Sequence, residues 1–322
     1  MIRVLRLWLL ALAGAALACA GRAEPIVLRV GHFPNITHAQ GVIAHALTRA
    51  GKGWFEQRLG PDVTIQWYVY NAGPSAMEAI FANSIDLTYV GPSPALNAYA
   101  RSGGEEVRII AGAANGGAAL VVQPDGRIKT PADFRGKRVA TPQLGNTQDV
   151  ACRSWLAQQG FKITQIGGDV LVAPAANPDQ LNLFEKGDVD AVWTVEPWVS
   201  RLEMEAGAKV FLEQTDTVTT VLVSTRRFLE DHRDLAKKFA QANAELTDWI
   251  QKNPAEAQKL LRDELTMETT RPMSEALVAR SWKRMVFTTD ISLAPLQQFV
   301  ADAQRAGFMR GAPDLNRLVV TP

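Results

Sequence analysis

The stretch NAGPSAMEAIFANSIDLTYVGPSPALNAYA, Asn71 to Ala100, decides the fold class. Ala76, Met77, Ala79 and Ile80 recur at helical spacing and predict a helix from Ser75 to Asn83. Leu87 to Val90 reads as a short buried strand, and Ser93 to Tyr99 starts another helix. Gly73-Pro74 and Gly91-Pro92 punctuate the two helix starts. Helix, strand and helix in so short a stretch are the alternation of an α/β protein.

The same alternation extends both ways. Upstream, Ile26 to Val30 and Val63 to Tyr70 read as strands, with a helix between them carried by Val42, Ile43, Ala46, Leu47 and Ala50. Val107 to Gly112 closes this first set. A second set begins near Ala119, with strands at Arg138 to Thr141, Val170 to Ala173 and Ala191 to Val195. Its helices run from Asn146 to Gln159, Asp179 to Lys186 and Pro197 to Ala206. The chain returns through the β-branched run Val218 to Ser224. Helices then follow at Phe228 to Lys252, Pro254 to Glu264, Ser274 to Met285 and Leu293 to Ala306. One α/β unit is thus interrupted by another. The expected division is residues 24–118 and 218–322 for lobe I and 119–217 for lobe II, with two crossing strands as a hinge. A ligand would sit between the lobes, outside the strand ends.

The first residues read differently. Arg3 and Arg6 precede an apolar run from Leu7 to Ala20, then small residues at Gly21 and Ala23, the order of a secretory signal peptide over residues 1–23. Cleavage is expected after Ala23, with Ala20 the alternative. Cys19, after Leu17-Ala18, leaves lipid anchoring open, although Ala16 stands where a lipoprotein signal usually has Leu. After cleavage only Cys152 remains, in an apolar helical pattern, so no internal disulfide forms and a packed small hydrophobe is expected. The formal net charge of +1 argues against a nucleic-acid partner.

Three loops repeat one arrangement: Gly73-Pro74-Ser75, Gly91-Pro92-Ser93 and Gly145-Asn146-Thr147 each follow a strand and carry a hydroxyl or amide where a helix starts. Helix N-termini present free N–H groups and a positive dipole end, so converging N-termini bind an anion without Lys or Arg. Each hydroxyl or amide can equally be only an N-cap. Phe33-Pro34-Asn35-Ile36-Thr37-His38 is a fourth polar loop, in which Phe33 can pack on an apolar tail while Asn35 and His38 hydrogen-bond. Asn115-Gly116-Gly117 stands where the chain first crosses, as hinge, close approach to ligand or ordinary turn. Trp193-Thr194-Val195-Glu196-Pro197-Trp198 ends a strand and enters a helix at Pro197. Its tryptophans are walls of a site or lobe core, and Glu196 faces an ammonium group or pairs with Arg201.

Four stretches carry a family resemblance: VLRVGHFPNITHAQ (27–40), the opening stretch (71–100), KTPADFRGKRVATPQLGNTQDVACRSWLAQQG (129–160) and GDVDAVWTVEPWVSRL (187–202). In this order they resemble the periplasmic substrate-binding proteins of ABC importers in the nitrate/sulfonate/taurine group. Phe134 takes a Leu place in the third. The resemblance implies a two-lobed periplasmic binding protein fold of type II that closes on its ligand and docks on permease subunits in the inner membrane. Carried over by position, ligand contacts would come from Asn35, His38, Ser75, Ser93, Asn115, Gly117, Gln143, Asn146, Thr147, Trp193 and Glu196. Phe33, Trp193 and Trp198 would flank an organic tail.

The expected ligand is a small organosulfonate, taurine or related oxyanion, with nitrate, bicarbonate, a phosphonate or a thiamine-pyrimidine precursor as alternatives. A monomer without cofactor is expected. An enzyme on the same fold is the competing class. Thiamine-pyrimidine synthases resemble this family but carry a cysteine cluster and use iron. Of the histidines, His32, His38 and His45 could be offered as metal ligands, but their spacing matches no usual zinc motif. No Gly-x-Ser-x-Gly elbow is present. A ligand sensor docking on a receptor would use the same pocket.

Overall fold

Strands whose side chains alternate between two apolar environments build both lobes. In the computed structural model, which describes residues 25–322, the first elements are β1 (Ile26–His32), α1 (Ala39–Arg49), α2 (Trp54–Leu59), β2 (Val63–Val69), α3 (Gly73–Phe81), β3 (Leu87–Val90), α4 (Pro92–Arg101) and β4 (Val107–Gly116). The chain then enters the second lobe through β5 (Ala118–Val122), β6 (Arg138–Thr141), α5 (Thr147–Gln158), the small hairpin β7 (Ile163–Thr164) and β8 (Gly167–Gly168), β9 (Leu171–Pro174), α6 (Asn177–Glu185), β10 (Ala191–Val195), α7 (Trp198–Glu205) and β11 (Lys209–Gln214). It returns through β12 (Val218–Thr225), α8 (Arg226–Asp231), α9 (Arg233–Lys252), α10 (Pro254–Thr269), α11 (Glu275–Trp282), β13 (Met285–Phe287) and α12 (Leu293–Arg305). The expected signal segment, with Cys19 and both cleavage positions, lies outside the described residues.

Lobe I has a six-stranded sheet in the order β13-β4-β12-β3-β1-β2, and lobe II a five-stranded sheet in the order β11-β5-β10-β6-β9. β12 shows why both faces are covered. Val221 and Val223 pack with α3, α4 and α12, whereas Leu222 packs with the opposite layer that includes Phe239, Leu246 and Leu261. In lobe II, Leu120, Val122 and Trp193 share one core with Phe134, and Ala119, Val121 and Val192 share the other with Phe184. Cys152 is fully buried in the first of these, where burial pushes its thiol pKa up.

The sequence expectations are refined at three places. The helix from Phe228 to Lys252 is interrupted at His232, whose φ of −133° is not helical. The helix expected to reach Met285 ends at Trp282, and Met285–Phe287 joins β4 as an edge strand. The return segment also contacts lobe II. On α12, Asp302 Oδ1 accepts from Ser154 Oγ of α5 at 2.7 Å, and Arg305 donates to the same Ser154 at 2.8 Å. Arg280 of α11 holds Glu203 of α7 through two guanidinium nitrogens, at 3.0 and 2.8 Å. The C-terminal helices therefore strap the two lobes together.

The lobes join at two crossings, Gly116-Gly117 between β4 and β5, and 215–217 between β11 and β12. Gly116 N–H donates to the Thr217 carbonyl at 2.9 Å, so the crossings are bonded to each other. Gly116 has φ +74°, and a Cβ there would meet backbone oxygens of Arg284 at 2.4 Å and Thr215 at 2.7 Å. Gly116→Ala is expected to destabilise the fold by about 1–3 kcal/mol or more, read by urea unfolding. Wild-type stability would show that the crossing relaxes freely.

Candidate functional site

Four helices begin at one place between the lobes. In each case a strand ends, the chain turns, and a helix starts at the cleft. The cavity is lined from lobe I by Phe33, Asn35, Thr37 and His38 after β1, by Asn71, Ala72 and Gly73 at α3, and by Gly91 and Pro94 at α4. Pro142, Asn146, Thr147 and Gln148 at α5, Asn177 at α6 and Val195 at the end of β10 line it from lobe II. Thr219 on the returning β12 completes the lining. The empty volume between the lobes, open solvent at the mouth included, is about 360 Å³.

The hydrogen bonds show which donors are spent. Asn146 caps α5 by accepting from Asp149 N–H at 2.8 Å, and Val150 N–H donates to the Asn146 carbonyl. That leaves the N–H groups of Thr147 and Gln148 without a protein partner among the described residues. Asp149 is fully buried but neutralised by Arg153, and it accepts from Thr141 and from Gly145 N–H. At α4, Pro92 and Pro94 have no N–H, and Ser93 N–H donates across the cleft to Thr147 Oγ1 at 3.3 Å. The Ser93 hydroxyl is buried with no hydrogen-bond partner among the described residues.

No described residue lining the cavity carries a full charge. His38 is the titratable one. Burial, with His32 adding to it, holds its imidazolium well below the ordinary value, so it is neutral at pH 7. Phe33 N–H donates to its Nδ1 at 3.3 Å, which puts the proton on Nε2 as a donor. Phe33 stacks on the same ring, with centroids 4.2 Å apart. The site is thus a set of neutral amides, hydroxyls and one imidazole facing converging dipole ends.

The candidates from sequence separate into four groups. Phe33, Asn35, His38, Asn146 and Thr147 line the cavity, and Ser93 sits beside it. Ser75 is exposed and meets Gln143 of the other lobe, with Gln143 Nε2 donating to its Oγ at 3.3 Å, so this pair bridges the mouth. Gly117 turns at φ +71°, with Thr37 and Met285 where a Cβ would go. Asn115 stays in β4, paired with Val218 and Val286.

The Trp-Glu-Trp segment departs from expectation. Trp193 faces the lobe II core, 6.1 Å from the Trp155 ring, with its indole N–H toward Gln214. Trp198 lies behind the cavity and donates to Asn35 Oδ1 at 3.1 Å, positioning that side chain. Pro197, after a cis peptide, caps α7 one residue outside it rather than occupying the first turn. Glu196 neither lines the cavity nor pairs with Arg201. Its carboxylate accepts from Ser200 N–H, Ser200 Oγ, Ser281 Oγ and Arg284, at 2.8–3.0 Å. Burial pushes its pKa up, and these four donors pull against that. Arg201 instead pairs with Glu205. Asn71, Gln148, Asn177 and Thr219 were missed. Asn177-Pro178 follows a strand and opens a helix, the same signal that marked the other three loops.

Two lobes of α/β structure, joined by paired crossings and opening on a shared cleft, define a solute-binding fold of the periplasmic type. The alkanesulfonate-binding protein of Xanthomonas axonopodis pv. citri, bound to MOPS, shares it with a TM-score of 0.72 at 21% identity, over 93% of this chain and all of that one. The nitrate-binding protein of Synechocystis PCC 6803 has a TM-score of 0.72 at 16% identity, over 90% of this chain and 83% of that one. The chain belongs to the NMT1-like family, which it matches over residues 21–262. An Escherichia coli K12 relative, named an aliphatic sulfonates-binding protein, is 29% identical over 84% of this chain and 78% of its own length. A Bacillus subtilis relative of the same name is 25% identical over 84% and 82%.

Trp193→Ala is expected to cost about 3–5 kcal/mol of stability as a core truncation. Glu196→Gln is expected to cost about 1–3 kcal/mol through its stranded donors. By calorimetric titration the folded variants should keep wild-type ligand affinity. A selective loss for ammonium-bearing ligands in Glu196→Gln would return that carboxylate to the site.

Proposed function

We propose that the chain is the extracytoplasmic solute-binding component of an ABC importer and that it holds a small alkanesulfonate between its lobes. The observation that carries this is the cavity lining: four helix N-termini and neutral donors, with no fixed charge among the described lining residues. A sulfonate spreads one negative charge over three oxygens, which suits several dipolar donors better than one cation. The N–H groups of Thr147 and Gln148, His38 Nε2–H and the Ser93 hydroxyl are donors within this region. Phe33, Ala72, Pro94, Pro142 and Val195 offer an apolar side to the organic tail. The names of the Escherichia coli and Bacillus subtilis relatives support the same ligand class. With Glu196 spent on Arg284, an ammonium group has no carboxylate partner in the lining, so an ammonium-free sulfonate is preferred over taurine. The relatives named as binding proteins support a non-catalytic role.

Export follows from the N-terminal charge and apolar pattern, and no helix among the described residues is long and apolar enough to cross a membrane. The permease subunits are the partners that would receive the ligand.

Thermal unfolding against short alkanesulfonates, taurine, an aromatic sulfonate, sulfate, nitrate, aminoethylphosphonate and a thiamine-pyrimidine precursor tests the proposal. Saturation at 100 times the dissociation constant stabilises by about 2.7 kcal/mol, a shift of several degrees for a chain of this size. Alkanesulfonates should give it and Asn177→Ala should reduce it. A shift with nitrate alone would overturn the sulfonate assignment, and a flat panel would remove this ligand class altogether.

A further inference from the structure

Outside the cleft, on the far side of β1, three ligand-type atoms from distant parts of the chain meet. His32 Nε2 and His45 Nδ1 are 3.1 Å apart, His45 Nδ1 and Glu268 Oε1 are 2.9 Å apart, and His32 Nε2 and Glu268 Oε1 are 3.1 Å apart. His32 ends β1, His45 lies on α1 and Glu268 on α10. The side chains of His32 and Glu268 are 0% and 3% exposed, and His45 is 16% exposed. Trp67 closes the site, edge-on to His32 and stacked on His45.

Protons alone serve this triangle badly. His32 Nδ1 is 3.3 Å from the Phe33 carbonyl and donates to it, which leaves a lone pair on Nε2 when the ring is neutral. Arg49 only donates, so its contact to His45 Nε2 at 3.2 Å puts the His45 proton on Nδ1, facing Glu268. The lone pairs of His32 Nε2 and Glu268 Oε1 then oppose each other. Protonating His32 mends that edge but sets two N–H groups against each other on the His32–His45 edge. Glu268 Oε2, also buried, has no hydrogen-bond partner among the described residues. A cation bound to all three atoms satisfies every edge at once.

We propose that His32, His45 and Glu268 bind a divalent transition-metal ion of the zinc type. Two imidazoles and a carboxylate are a zinc donor set. Around zinc, tetrahedral neighbours are about 3.3 Å apart, so the three atoms need open by only a few tenths of an ångström. The Phe33 carbonyl fixes the His32 ring in the way outer-sphere partners orient metal-bound histidines. Glu264 Oε1, 3.4 Å from His45 Nδ1, is the nearest further oxygen for a fourth position, which water can also fill. On binding, the His45 proton moves to Nε2 and Arg49, 45% exposed, turns aside while Glu264 remains its partner. The ion would pin α10 to α1 and to the strand that leads directly into Phe33 of the cleft.

The test uses the untagged protein stripped with EDTA, loaded with zinc chloride and dialysed, with retained metal measured by atomic emission. One zinc per chain, a rise in unfolding temperature, and d–d absorption of four-coordinate geometry with Co²⁺ are expected. His45→Gln and Glu268→Gln should lose the retained zinc while keeping the wild-type far-UV circular dichroism. His38→Gln should keep it, which separates this site from the cleft. Should either variant fail to fold, the Co²⁺ spectrum of the wild type still decides. Absence of retained zinc, a six-coordinate Co²⁺ spectrum, or full retention in folded His45→Gln and Glu268→Gln would overturn the proposal.

Discussion

The cleft depends on one constraint, the pair of bonded crossings between the lobes. Gly116 donates to Thr217, Glu196 N–H donates to the Gly117 carbonyl at 2.7 Å, and the Glu196 carbonyl accepts from Ile36 N–H at 3.1 Å. These bonds place the end of β10 against the loop after β1. The helix starts of lobe II therefore face those of lobe I across the cleft. Glu196, Ser281 and Arg284 extend the same junction outward into a buried ion pair between the turn before α7 and the turn after α11. The charges at this junction thus lie outside the cavity.

Keeping those charges outside has a chemical consequence. A fixed cation in the cavity would bind any anion strongly and discriminate poorly. Dipole ends and neutral amides instead reward an oxyanion whose oxygens match several donors in direction. Trp198 contributes without touching the cavity, because its N–H consumes one lone pair of Asn35 and fixes which way that amide points. Selectivity then resides in orientation and in the apolar wall beside Phe33.

Much of this was legible in the chain. Gly-Pro-Ser and Gly-Asn-Thr after short strands marked three of the four helix starts, because turn chemistry and capping are local. The face taken by Trp193 was not legible, since β10 is buried on both sides and burial alone gives no signal of which side holds the ligand. The role of Glu196 was hidden for another reason. Its partner Arg284 lies 88 residues away and arrives only through packing of the return segment. The cluster of His32, His45 and Glu268 likewise brings Glu268 to a histidine 223 residues earlier, His45, and to His32 earlier still, so spacing rules could not reveal it. Asn177 is the instructive miss, as its Ala-Asn-Pro start repeats the signal read elsewhere.

The most direct test of the central claim is a crystal structure grown with an excess of ethanesulfonate. The account predicts sulfonate oxygens in the interlobe cavity, about 2.7–3.2 Å from the N–H groups of Thr147 and Gln148. The ethyl group should lie toward Phe33 and Val195. A sulfonate held by surface Arg or Lys residues with the cavity left to solvent would contradict it.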